Sequence, residues 1–232
     1  FYLLKKTTIP LKPSLPFNPE IKRFVLMILN LFIRTIALNV TLYFASAYAT
    51  SYGAEYIAAY TIAINLWFLG AFIVDGYASA GNILSGKLFG EKAYATLITL
   101  SNKLIKYGVI IGIILGLVGA ILYYPIGRLF TKDPEVLKAF YNVFWIVLVM
   151  QPLCTLAFIF DGIFKGLGKM KYLRNVLLFS TFLVFIPILF WLDNLDYKLH
   201  AIFIAITFWI IARGIPLIIK FRQLFLPLAQ KN

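Results

Sequence analysis

The chain has 232 residues, 62% of them hydrophobic and only 13% charged, with a mean hydropathy of +0.88. That composition excludes an ordinary soluble domain, in which about a quarter of residues carry charge. The formal charge of +13 does not indicate a nucleic-acid partner, because the Lys and Arg fall in clusters between apolar runs, as in the cytoplasmic loops of membrane proteins.

In chain order, FYLL followed by Lys5 and Lys6 reads as the end of a preceding apolar segment, without a signal-peptide pattern. Pro10, Pro13, Pro16 and Pro19 then recur at every third position. That spacing favours an extended, stiff connector, so residues 1–23 are assigned as a linker. A six-helix transmembrane unit is expected over 24–222 and a short tail over 223–232. The six apolar runs are placed at Phe24–Tyr48, Tyr56–Ser85, Leu104–Tyr124, Val136–Ile163, Tyr172–Leu192 and Ala201–Phe221. Each reaches the ~20 residues that a bilayer span requires. The expected fold is therefore all-α and polytopic.

Sixteen Lys and Arg fall on one side of these spans, in the segments around Lys22, Lys87, Lys169 and Arg222. Arg128, Lys132, Lys138 and Lys198 fall on the other, diluted by Asp133, Glu135, Asp193 and Asp196. The asymmetry predicts cytoplasmic ends. Tyr123, Tyr124, Tyr172, Trp191 and Tyr197 mark span ends, where an amphipathic ring suits the headgroup layer.

The third run carries Gly108, Gly112, Gly116 and Ala120, one small residue every fourth position. Such a stripe allows close helix packing. Pro152, Pro187 and Pro216 lie inside the last three runs, where each removes a donor and predicts a bend. Gln151 stands beside the first of them, placed to satisfy a freed backbone group.

Arg34, Asp75, Asp161 and Arg213 are the ionisable residues inside the runs. A charge at membrane depth costs ~2.5 kcal/mol or more, so it needs a partner or water. Arg34 requires a carboxylate from another helix: Asp75, itself in need of a partner, is the first expected for it, and Asp161 is the other. Arg213 is read as snorkelling toward the cytoplasmic end. Asp75 and Asp161 share a context, VDG and FDG, each ahead of a lysine-rich exit. Two readings of them stand: buried structural charges, or carboxylates that carry H⁺ or Na⁺. Enzyme chemistry is not expected, since His200 is the single histidine and Cys154 the single cysteine, and neither a catalytic residue nor a metal site is assigned. Two intramembrane aspartates raise an aspartyl protease, but neither sits in the Tyr-Asp or Gly-x-Gly-Asp setting of that class.

LFIRTIALNVTLYFASAYATSYGAEYIAAYTIAINLWFLGAFIVDGYASAGNILSGKLFGEK and FDGIFKGLGKMKYLRN resemble the multidrug and toxic compound extrusion (MATE) family, in its DinF-like branch. The likeness runs from about Ile21 to Phe221. It implies the C-terminal six-helix lobe of a twelve-helix transporter, with the Pro-rich stretch joining the lobes. The implied activity is export of cationic, amphipathic solutes in exchange for H⁺ or Na⁺, with no cofactor. The implied partners are an N-terminal six-helix lobe, the lipid bilayer and a small organic cation, and the implied location is a bacterial inner membrane. Two departures stand out. The first helix lacks the carboxylate of one family branch, and Asp161 lies about two turns beyond where that branch's tenth-helix acid would fall, near Cys154. The candidate pathway residues are Arg34, Asn39, Asn65, Asp75, Gln151 and Asp161. A lipid-linked oligosaccharide flippase of the same superfamily is the alternative, a class with more basic residues along its cavity. A non-transporting membrane scaffold is the other.

Overall fold

The computed structural model describes residues 19–229, and the proline-rich connector lies almost wholly outside them. Every regular element among the described residues is helical. In chain order they are α1 (Pro19–Ser51), α2 (Ala54–Gly90), α3 (Tyr94–Ile121), α4 (Tyr123–Phe130), α5 (Pro134–Gly166), α6 (Met170–Phe179), α7 (Ile186–Asp193) and α8 (Leu199–Ala229), with a π-helical turn at Ser180–Phe185 between α6 and α7. Six spans long and apolar enough to cross a bilayer result, α6, the π turn and α7 forming one of them. The chain is thus a multi-pass membrane protein with the expected number of spans.

The helices outrun the expected segments. The third begins at Tyr94 rather than Leu104, and the last continues to Ala229 rather than Phe221. Helix α5 starts at a well-made cap: the Asp133 carboxylate accepts from Glu135 N at 2.9 Å and Val136 N at 3.5 Å, and Pro134 fills the first turn. It forms the centre of the lobe, packing on α2, α3 and α8. Helix α1 lies at the periphery and buries one narrow strip, Ala37, Thr41, Ala45 and Ala49, spaced four apart.

Small residues set the spacing around α5. A Cβ on Gly112 would lie 2.7 Å from Pro152 Cα, and one on Gly116 would lie 3.1 Å from Leu148 O. Leu148 O is the carbonyl that Pro152, four residues on, cannot satisfy. The α3 stripe therefore packs against the α5 bend. Its last member is the buried Gly119 rather than the expected Ala120, which is exposed.

Near Pro187 the helix widens instead of breaking. The π turn ends at Phe185, two residues before the proline, so the ring is accommodated by a change of register. The turn places Thr181 at a buried junction. Trp209 Nε1 donates to Thr181 Oγ1 at 3.0 Å, and Thr41 and Thr181 hydroxyls meet at 3.1 Å. Thr181→Val would leave the indole N–H without an acceptor and is expected to cost about 1–3 kcal/mol. Thermal unfolding in detergent should show this drop, whereas an unchanged midpoint would mean the junction contributes nothing.

The end opposite the lysine-rich loops is tied by polar contacts. The Tyr52 hydroxyl donates to the Asp193 carboxylate, and Lys198 Nζ donates to the Tyr56 hydroxyl at 3.3 Å. Burial and the adjacent Asp193 carboxylate hold the Tyr52 phenol well above its ordinary pKa.

Candidate functional site

A buried ion cluster forms where α1, α5 and α8 converge, with Asp161 of α5 at its centre. Arg34 Nη2 donates to Asp161 Oδ2 at 2.5 Å, and Lys165 Nζ, one turn along α5, lies 3.1 Å from the same oxygen. Arg213 Nη2 lies 3.8 Å from Asp161 Oδ1, too far for a hydrogen bond. The Arg213 guanidinium instead stacks 4.6 Å above the Trp209 ring and 5.6 Å from that of Phe158, a cation–π arrangement suited to a dry site.

Arg213 is 3% exposed, so the snorkelling expected from sequence is overturned. Helix α8 turns the side chain inward instead, against Asp161 and the Phe158 ring of α5.

The cluster opens into a cavity of about 230 Å³ between α1 and α2. Arg34, Asp161, Lys165 and Arg213 form its charged wall, and Asp75 on α2 lines it too. The remaining wall is apolar and largely aromatic: Leu38, Trp67, Phe68, Phe72, Phe158 and Trp209. Trp67 is held by its own N–H, which lies 3.1 Å from the Cys154 sulfur.

Of the six candidate pathway residues, the structure brings three together: Arg34, Asp75 and Asp161. Arg34 pairs with Asp161 rather than Asp75. Asp75 is exposed and makes no ion pair among the described residues. Gln151 lies elsewhere, in a separate, mainly apolar cavity of about 120 Å³. It abuts Gly70, where a Cβ would lie 2.7 Å from Gln151 Oε1, and that oxygen has no hydrogen-bond partner among the described residues. The group freed by Pro152 is the Leu148 carbonyl, which would need a donor, and no hydrogen bond from the Gln151 amide reaches it among the described residues. Asn39 and Asn65 are exposed on α1 and α2, and each donates to a carbonyl one turn back, Thr35 O at 2.9 Å and Thr61 O at 2.7 Å.

The two asparagines belong to a wider pattern. Thr35, Asn39 and Tyr43 recur at four-residue spacing on the exposed side of α1, as do Thr61 and Asn65 on α2, which continues through Phe72 to Asp75 and Ser79. Helix geometry puts each series on one face. Lys165 and Arg213 are the cavity cations that sequence reading missed. Lys165 carried a usable signal, because it is four residues from Asp161 and so shares its face.

The MatE family model matches residues 27–191 of the chain. The chain belongs to the MatE family. It is 33% identical to Protein DETOXIFICATION 45, chloroplastic, of Arabidopsis thaliana over 73% of its own length and 30% of that protein's. It is 27% identical to a probable multidrug resistance protein NorM of Photorhabdus laumondii over 90% of its length and 46% of the relative's. A crystal structure of MATE in the bent conformation superposes with a TM-score of 0.86 at 18% identity, covering 99% of this chain and 52% of that one. This MatE chain thus has the fold of one lobe and spans less than half of these curated relatives and about half of the solved structure. The relatives are named for detoxification and multidrug resistance rather than for an enzyme activity.

Proposed function

We propose that this MatE chain is the C-terminal lobe of a secondary efflux transporter, and that solute passes along the exposed faces of α1 and α2. The observation that carries this reading is the charged cavity on that side, opening between two helices whose outward faces bear Asn39, Asn65 and Asp75. Polar groups at membrane depth belong against protein or water rather than lipid. A second six-helix lobe covering α1 and α2 would enclose the path, and rocking of one lobe against the other would expose it to each side in turn. In this arrangement the lysine-rich loops and both ends face the cytoplasm, and exchange of H⁺ or Na⁺ drives export.

Reconstitution of the full-length polypeptide into proteoliposomes tests this. Efflux of a test solute should follow an imposed H⁺ or Na⁺ gradient, and efflux indifferent to both would sink the antiport reading. Asp75 is the exposed carboxylate and Asp161 the paired one, so ion coupling is assigned to Asp75. Asp75→Asn should abolish the dependence on the gradient while the protein still folds. If its pH and Na⁺ profiles match the unaltered protein, Asp75 does not couple ions.

A second reading gains from one observation. Three cations line the cavity, where the sequence had offered only Arg34, and a basic cavity is the feature expected of a lipid-linked oligosaccharide flippase. Translocation of a fluorescent lipid diphosphate in the same vesicles, without any ion gradient, would favour it.

A further inference from the structure

The ion cluster is not balanced. Asp161 offers two carboxylate oxygens to three cations. Oδ2 is shared by Arg34 and Lys165, while Oδ1 lies beyond hydrogen-bond reach of Arg213. Arg34 Nε and Arg213 Nη2 are both buried and have no hydrogen-bond partner among the described residues. An orphaned donor on a buried guanidinium carries its full desolvation penalty. Counting Asp75 at the rim, the cavity still holds three cations against two carboxylates. A cationic solute would bring a fourth positive charge to this wall. An anion brings the acceptors that both arginines lack.

We propose that this cavity is an anion site that takes a small amphipathic organic anion. Arg34 and Arg213 hold the charged head, and Trp67, Phe68 and Phe158 hold the apolar body. Guanidinium groups match the planar, two-oxygen geometry of a carboxylate and also suit a phosphate. The aromatic remainder of the wall fits the usual form of a ligand pocket, mostly apolar with a few convergent polar groups. Asp161 then acts as a positioning residue that keeps two arginines at membrane depth between solute molecules. The inference rests on the transporter reading for its place in a path, and it changes the expected solute from cation to anion.

Calorimetric titration of the full-length polypeptide in nanodiscs, with empty nanodiscs as the blank, tests it with matched probes. 2-Naphthoate should bind saturably, and 2-naphthylmethylammonium, of the same shape and opposite charge, should not. Arg213→Gln should weaken naphthoate binding by about tenfold or more. Lys165→Gln changes a partly exposed side chain and leaves the Arg34–Asp161 pair in place, so it reports even if Arg213→Gln fails to fold. It should weaken binding by roughly threefold. Competition by geranyl diphosphate at lower concentration than naphthoate would assign the head to a lipid diphosphate, whereas competition only by carboxylates would assign it to an organic acid. The proposal is overturned if the ammonium probe binds as tightly as naphthoate, if naphthoate does not bind, or if Lys165→Gln leaves its affinity unchanged. Gradient-driven efflux in a protein that binds no naphthoate would leave the transporter reading standing and remove this one.

Discussion

Asp161→Ala is expected to destabilise the lobe by about 3–5 kcal/mol, the cost of removing one partner from a buried ion pair. Its side chain is 6% exposed and that of Arg34 is 12% exposed, so solvent offers little rescue. The change would leave Arg34, Lys165 and Arg213 facing one another with no carboxylate between them. Arg34→Met alone should cost less, because Lys165 and Arg213 still compensate the carboxylate. Combining it with Asp161→Ala should cost less than the sum of the two single losses, since the carboxylate then leaves together with one of its three cations and only Lys165 and Arg213 remain to repel each other. Thermal unfolding of the full-length polypeptide in detergent measures all three. Strictly additive losses would mean that Arg34 and Asp161 stabilise the lobe independently, contrary to the contact between them.

The number and type of the spans were legible in the sequence because apolar length alone decides them. Arg34's need for a distant carboxylate was legible too, since its own apolar run, Phe24–Tyr48, offers none. The choice between Asp75 and Asp161 was not, and Asp75, the partner expected first, is the wrong one. Both stand before a glycine in a similar local sequence, and only the packing separates them. Gly162 lets α5 press against α2, where a Cβ would lie 2.5 Å from Ala78 O, while Gly76 has no neighbour within 4 Å. The same two-residue signature therefore marks a buried pair partner in one helix and an exposed rim residue in the other.

Arg213 was misread for a different reason. Its burial depends on which face of α8 meets α5, where Asp161 and Phe158 receive it, and the local sequence around Arg213 does not report that face. Charge at the cavity was consequently undercounted, and with it the case against a cationic solute. The π turn was also out of reach. A proline predicts a bend, but whether the chain kinks or widens depends on what Thr181 meets, and Thr41 and Trp209 come from other helices.

The α2–α5 contact should be the least tolerant interface in the lobe, and its glycines allow a controlled comparison. A Cβ on Gly166 would lie 2.2 Å from Asn82 O and 3.0 Å from Gly86 N, and both are backbone atoms that no rotamer change can clear. Gly166→Ala or Gly162→Ala must therefore push two long helices apart, at an expected cost of about 1–3 kcal/mol each and more for Val or Leu. Gly76→Ala meets open space and should be neutral or stabilising by up to about 1 kcal/mol, since alanine is the better helix former. Unfolding midpoints of these single variants decide the matter. Equal tolerance at Gly76 and Gly166 would contradict the close approach of α2 to α5. Because Asp161 sits one residue before Gly162, the same displacement would also draw its carboxylate away from Arg34. Gly162→Ala should therefore lose anion binding along with stability, whereas Gly76→Ala should keep both.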